Sequence, residues 1–273
     1  MATRLMVTLT RQETPIRFIQ IYNGGGVYGE SVTKLMRLFR YVKGPWEISE
    51  VGEKEVAPEK WPPSQTLFIL PGGKAGDYEA HLGKKVGKLR AFVEQGGCFF
   101  SVCGGSYFAT KYTIYQINPK EVIRKERPLA LFDGVAEGPL IPSDSEDISF
   151  HHGAVTVRWN RSKERAPVLI SGGGGFIPSE KGGKYEVLAS YEDPLVPKRL
   201  TAAVVKSYVG KGEAILSSLH LGYHGSDIDI ELYKRYFPEH DWEAIVKALE
   251  GTEAFRVSCF ADTIRSFKSE SKL

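Results

Sequence analysis

The sequence predicts an α/β fold: a doubly wound, mostly parallel sheet with an antiparallel extension in its second half. Three observations predict it. From residue 17 onward, apolar strand-like runs alternate with stretches of helical periodicity. Leu67-Phe68-Ile69-Leu70 is an unbroken apolar run, as a parallel strand covered on both faces requires. After about residue 113 the pattern changes to short strands punctuated by Pro and Gly. Crossovers of this kind place helices on both faces of the sheet and ligands at the carboxyl ends of its strands.

Residues 17–22 read as the first strand, and Asn23-Gly24-Gly25-Gly26 turns the chain into a helix over 30–41 with Val32, Leu35, Met36 and Phe39 on one face. A second strand is expected over 46–51. A Pro-rich connection over 58–64 then leads into the run that Pro71-Gly72-Gly73 stops. The helix over 84–95 turns Val86, Leu89, Phe92 and Val93 inward and ends at Gly96-Gly97. The strand over 98–102 is closed by Cys103. The second half supplies strands over 154–159, 168–171 and 185–191. A hairpin of 202–208 with 213–219 follows, around Val209-Gly210-Lys211-Gly212. Helices are expected over 229–236, 242–249 and 253–267. The organisation expected is an N-terminal extension (1–16), one domain (17–225) and a C-terminal helical extension (226–273) packed on that domain.

The 273 residues are 42% hydrophobic and 25% charged, enough to bury a sizeable core. Lys and Arg number 36 against 33 Asp and Glu, with no block of like charge, which argues against a nucleic-acid partner. A small-molecule substrate or ligand is expected, with a protein partner as the second expectation. No apolar run approaches the ~18 residues that cross a bilayer, and the first ten residues are too polar for a secretory leader. A cytoplasmic location is expected, or the peroxisomal matrix in a eukaryotic source, because Ser271-Lys272-Leu273 matches that address. Cys98, Cys103 and Cys259 are odd in number and lack metal-ligand spacing, so a free thiol is expected rather than a disulfide, a metal site or any cofactor.

That thiol is Cys103. A hydrophobic strand, a cysteine, Gly104-Gly105 and a following helix build a nucleophile elbow, because small residues let strand and helix meet at a tight angle. The helix start would favour the thiolate, and the Gly104 N–H would face a developing oxyanion. Gly72 and Gly73, just past the buried strand, permit close backbone approach, with Gly73 the second oxyanion donor. His220, after the strand ending at Leu219, is the best placed of six histidines to act as general base. His224 reads as a loop residue and His81 and His240 as surface residues. His151 and His152 point to opposite faces of an extended segment. Cys98 and Cys259 read as small apolar fillers.

These residues resemble the class I glutamine amidotransferase-like domain found at the N-terminus of eukaryotic-type biotin protein ligases and as stand-alone bacterial proteins. The matching motifs run in order over residues 17–225. They begin with Tyr22-Asn23-Gly24-Gly25-Gly26-Val27, Leu70-Pro71-Gly72-Gly73, Phe92-Val93-Glu94-Gln95-Gly96-Gly97 and Cys103-Gly104-Gly105-Ser106-Tyr107. Ser171-Gly172-Gly173-Gly174-Gly175-Phe176, Tyr185-Glu186-Val187-Leu188-Ala189 and the 203–220 hairpin follow. The resemblance implies a flavodoxin-like sandwich with Cys103 as nucleophile, His220 as base, and Gly73 and Gly104 as oxyanion donors. It places Gly72, Gly105, Tyr107, Asn23, Gly25, Gly173 and Gly174 around the pocket. Two departures stand out. The triad acid of that family lies two residues after the histidine, where this chain has Gly222, leaving Asp227, Asp229 or Glu186 to substitute. Glutaminase members carry Gly-x-Cys-x-Gly-x-Gln, whereas here Ser101 and Tyr107 hold the first and last places. The Gly-Arg-Gly-Arg biotin-binding motif is absent, so ligase activity is not expected of these residues.

Two functional readings result: a cysteine-dependent enzyme acting on an amide or ester bond of a small molecule, and a non-catalytic binding or regulatory module of the same fold. A third, dinucleotide binding, rests on Gly24, Gly26 and Gly29 after a strand, with Glu50 ending the next.

Overall fold

In the computed structural model, which describes residues 5–140, 152–180, 182–194 and 196–267, a short strand β1 (Val7–Thr8) precedes the buried strand β2 (Phe18–Tyr22). Helix α1 (Gly29–Tyr41) buries Val32, Leu35, Leu38 and Phe39, the spacing of one helix face. Strand β3 (Val42–Lys43) pairs with β1 in a separate parallel ribbon, and β4 (Glu47–Val51) follows. Two proline-led 3-10 turns carry the chain into β5 (Thr66–Leu70), which is buried at every residue. Helices α2 (Ala75–Leu82) and α3 (Lys85–Glu94) come next, then β6 (Cys98–Val102) and the six-residue α4 (Gly104–Ala109).

The second half adds β7 (Thr110–Asn118), β8 (Glu121–Glu126), β9 (Phe132–Gly138) and β10 (His152–Trp159), then β11 (Arg165–Ser171) and β12 (Gly175–Pro178). Strands β13 (Tyr185–Tyr191), β14 (Ala202–Val209) and β15 (Gly212–Ser217) complete the sheet, and α5 (Ile230–Tyr236), α6 (Trp242–Leu249) and α7 (Glu253–Ser266) follow. Among the described residues, thirteen strands form one sheet along β4-β2-β5-β6-β15-β14-β12-β9-β7-β8, while β13 joins β14 to β10 and β10 pairs with β11. The run from β4 to β15 is parallel. Beyond β15 the neighbours are antiparallel, apart from β7 with β9.

Successive residues of a strand face opposite sides, and both sides here are apolar. Ile19, Ile21, Leu67, Ile69, Phe100 and Ile215 pack with α1 and α7 in one core. Phe68, Leu70, Phe99 and Leu216 pack with α2, α3 and α4 in the other. A satellite cluster of Leu169 with Trp242, Ile245 and Leu249 seats α6 on β11. No helix among the described residues is long and apolar enough to cross a membrane.

Several elements escape the sequence pattern for physical reasons. Strand β8 is exposed at every residue and β7 is mostly half-buried, so neither shows an apolar face. Helix α2 buries only Tyr78 and Leu82. Strand β15 ends at Ser217 rather than residue 219, because Ser218 N–H turns to the Ala203 carbonyl at 3.0 Å. His240 is not a surface residue: its side chain is 9% exposed and its ring stacks on Trp242 at 5.4 Å. His151 and the tail Ser271-Lys272-Leu273 lie outside the described residues.

Candidate active site

Crowding builds the elbow. The Cys103 N–H donates to the Ser217 carbonyl at 2.8 Å, and the residue then turns at φ 49°, a conformation that strains a non-glycine residue by about 1–3 kcal/mol. A Cβ on Gly104 would overlap the carbonyl oxygen of Gly73, and one on Gly105 would come within 2.5 Å of the Leu70 carbonyl oxygen. Helix α4 therefore packs backbone to backbone on the end of β5. The Ser106 hydroxyl ties the corner together. It lies 2.9 Å from Ser101 Oγ, donates to Ser217 O at 2.9 Å and accepts from the Ser217 N–H at 3.0 Å.

Gly73 forms a one-residue bridge with Val27, in which Tyr28 N–H donates to Gly72 O at 3.1 Å and Lys74 N–H to Gly26 O at 2.9 Å. Neither bond uses the Gly73 N–H. The Gly104 N–H is directed at the Cys103 sulfur and favours its thiolate. Gly72 stands between the thiol and the imidazole: a Cβ there would lie 3.8 Å from Cys103 Cβ and 3.5 Å from His220 Cε1. His220 is anchored by its own N–H, which donates to the Leu169 carbonyl at 3.1 Å. The end of β11 supplies a partner that sequence reasoning missed. Cys103 Sγ donates to Ser171 O at 3.3 Å, and the His220 imidazole also hydrogen-bonds the Ser171 backbone. A main-chain carbonyl leaves no side-chain signature.

Burial governs the charge of both groups. It pushes the Cys103 thiol up to about 12 against the Gly104 N–H, and it pulls His220 down to about 4 against the Ser171 backbone. At rest Cys103 is thus a neutral thiol and His220 a neutral imidazole, each bonded to the Ser171 backbone. The short helix start does not outweigh desolvation, contrary to the expectation of a stabilised thiolate.

The carboxylates named as substitutes for the missing acid are engaged elsewhere. Asp227 holds Arg37 and Lys34, Asp229 caps α5, and Glu186 bonds Tyr208. Position 222 has no room for an acid, since a Cβ on Gly222 would run into the backbone of Lys34 in α1. His220 Nε2 is buried and has no hydrogen-bond partner among the described residues.

A cavity of about 430 Å³ opens over Cys103, with Gly73, Gly104, Tyr107 and His220 in its wall. The Tyr107 hydroxyl, at the place of the glutaminase glutamine, donates to Gly172 O at 3.2 Å. Gly172, rather than Gly173 or Gly174, lines the cavity; the Gly173 and Gly174 carbonyls take the Leu140 N–H and the Tyr191 hydroxyl. Gly72 and Gly105 are not in its lining either: Gly72 lies on a smaller neighbouring pocket with Ser31 and His220, and Gly105 packs against the Leu70 and Pro71 carbonyls. Asn23 and Gly25 fall outside the lining, because their loop is braced from behind: Asn23 bonds Glu50 at 2.8 Å and Gly25 N–H donates to Glu53 at 2.5 Å. With that N–H spent on a carboxylate, and a Cβ on Gly29 facing open space, the loop lacks the phosphate cradle of a dinucleotide fold. The far wall comes from the antiparallel half, in Thr113, Tyr115, Ile123 and Arg127. Sequence reasoning missed these too, since only the folded sheet brings them opposite Cys103. Among the described residues no three His, Cys, Asp or Glu side chains gather as a metal site.

Residues 18–272 match the family described as biotin-protein ligase, N terminal. The chain belongs to that family. A biotin-protein ligase of Schizosaccharomyces pombe is 28% identical over 211 residues, which cover 74% of this chain and 33% of the ligase. This member of the biotin-protein ligase N-terminal family thus spans about a third of the relative it matches. Its fold is that of class I glutamine amidotransferases. A glutamine amidotransferase from Thermotoga maritima superposes with a TM-score of 0.57 at 12% identity, over 92% of this chain and 98% of that one. The PurLQS structure from the same organism gives 0.53 at 14% identity, over 89% and 97%.

Proposed function

We propose that this protein is a cysteine-dependent acyl-transfer or hydrolytic enzyme acting on an amide or ester bond of a small molecule in the Cys103 cavity. One observation carries the reading: Cys103 is held in a strained left-handed turn at the wall of a cavity that Gly73, Gly104 and the His220 imidazole also line. Strain of this kind persists only where the surrounding structure imposes it, and it collects at functional sites. In the proposed step Sγ attacks the carbonyl carbon while its proton passes to neutral His220. The Gly73 and Gly104 N–H groups receive the oxyanion; the C–N or C–O bond then breaks, and the leaving group takes the proton from His220.

The neutral resting pair supports general-base activation during attack, as for a serine nucleophile, rather than a preformed ion pair. The test is iodoacetamide labelling at neutral pH. We expect Cys103 to label faster than the equally buried Cys98 and Cys259, with the label lost in Cys103→Ala and slowed in His220→Gln. Labelling no faster than at Cys98 or Cys259, or at a rate that His220→Gln leaves unchanged, overturns the enzyme reading. The unpartnered His220 Nε2 and the closed position at Gly222 favour a second reading, a binding module that kept the pocket. The biotin-protein ligase named for the Schizosaccharomyces pombe relative is a protein about three times the matched length.

A further inference from the structure

Arg127 is a buried cation that shares its counter-ion with a second cation. Its side chain is 4% exposed yet lines the cavity over Cys103. Nε donates to Thr113 Oγ1 at 3.2 Å and Nη1 to Glu79 Oε2 at 3.2 Å, while no described residue bonds Nη2. The Glu79 carboxylate also takes Lys125 Nζ at 2.8 Å, so two cations share one anion. Burial lowers the affinity of the guanidinium for its proton more than Glu79 raises it, the mark of a charge whose desolvation is not repaid. Thr113 in turn donates to the Tyr107 carbonyl at 2.9 Å, which ties the guanidinium to α4, the helix that follows Cys103.

We propose that the ligand of this cavity carries a carboxylate and that Arg127 binds it. Its second carbonyl, the one facing Cys103, rests on the enzyme reading above; the carboxylate does not. One uncompensated positive charge matches a monoanion. Ile117, Ile123 and Tyr115 surround it with apolar wall suited to the alkyl chain of an acyl acid, whereas a phosphate dianion would need further donors. At the mouth, Lys74 and Asp77 are exposed and of opposite sign, so they add no net field.

Two probe sets test this. Hexanoate should raise the melting temperature where hexanamide does not, and the difference should vanish in Arg127→Gln. In Glu79→Gln, which removes the competing anion, the hexanoate effect should grow; this variant decides the matter should Arg127→Gln fail to fold. Equal effects of acid and amide, or a Glu79→Gln variant that binds hexanoate no better, overturn the proposal. In the second set, ω-(iodoacetamido)alkanoates should alkylate Cys103, with loss of iodide, about tenfold faster than their methylamides, the scale of one charge-assisted hydrogen bond. Fast labelling without preference for the acid sinks the carboxylate site and spares the nucleophile. Slow labelling by both, with Arg127-dependent binding of hexanoate, does the reverse.

Discussion

The thiol of Cys103 donates to the carbonyl of Ser171 at 3.3 Å, across the seam between the parallel and antiparallel halves of the sheet. That contact joins residues 68 positions apart. It gives the sulfur a resting partner that holds its proton until a ligand arrives, and the same residue's backbone bonds the His220 ring.

On the proposed enzyme reading, a neutral His220 sets the pH profile. Burial lowers its pKa from 6.5 to about 4, so the imidazole remains a competent base down to about pH 4, and the acid limb of kcat/KM should fall there rather than near 6.5. Stability follows with the same sign. The unfolded chain protonates this histidine first, so stability is full above pH 6.5 and declines toward pH 4, by roughly 3 kcal/mol from this group. Urea titrations of wild type and His220→Gln across this range should show a shallower slope in the variant.

The glycines of the elbow should be irreplaceable, and one in a helix should not. Gly104→Ala forces a methyl group into the Gly73 carbonyl and should lower the stability by about 3 kcal/mol or more. Gly87→Ala in α3 meets nothing within 4 Å and should gain roughly 0.5–1 kcal/mol from helix propensity. Denaturation midpoints of the two variants should move in opposite directions.

The loop beyond His220 hangs on Asp227, which receives Arg37 at 2.6 and 2.7 Å, Lys34 at 2.9 Å and the His224 N–H at 2.8 Å. Burial works to raise this carboxyl, yet Arg37, the His224 N–H and Lys34 together hold it well below the usual range. Its contribution is present above about pH 4 and is lost as pH falls below that. Asp227→Asn leaves two cations uncompensated at this half-buried site and should cost about 3 kcal/mol at pH 7. Chemical denaturation should show the gap between variant and wild type closing below pH 4.

The first half of this protein was legible in its sequence because both cores are written into alternating strand residues. Ile19, Leu67 and Phe100 face one side and Phe68, Phe99 and Leu216 the other, so the β5 and β6 runs could belong only to covered parallel strands. The elbow was legible for a related reason: Gly104 and Gly105 are demanded by the backbone of Gly73 and Leu70, and that demand shows as residue type. Strands β7 and β8 were not, since an exposed edge strand carries no apolar signature. Tertiary structure alone decided the chemistry of the pocket. Whether Cys103 is charged depends on how much water its neighbours exclude, the partner it donates to is a main-chain carbonyl from β11, and Arg127 becomes a cavity wall only when β8 folds back on β7. Composition and spacing record none of these, because desolvation and backbone contacts belong to the assembled fold rather than to any residue type.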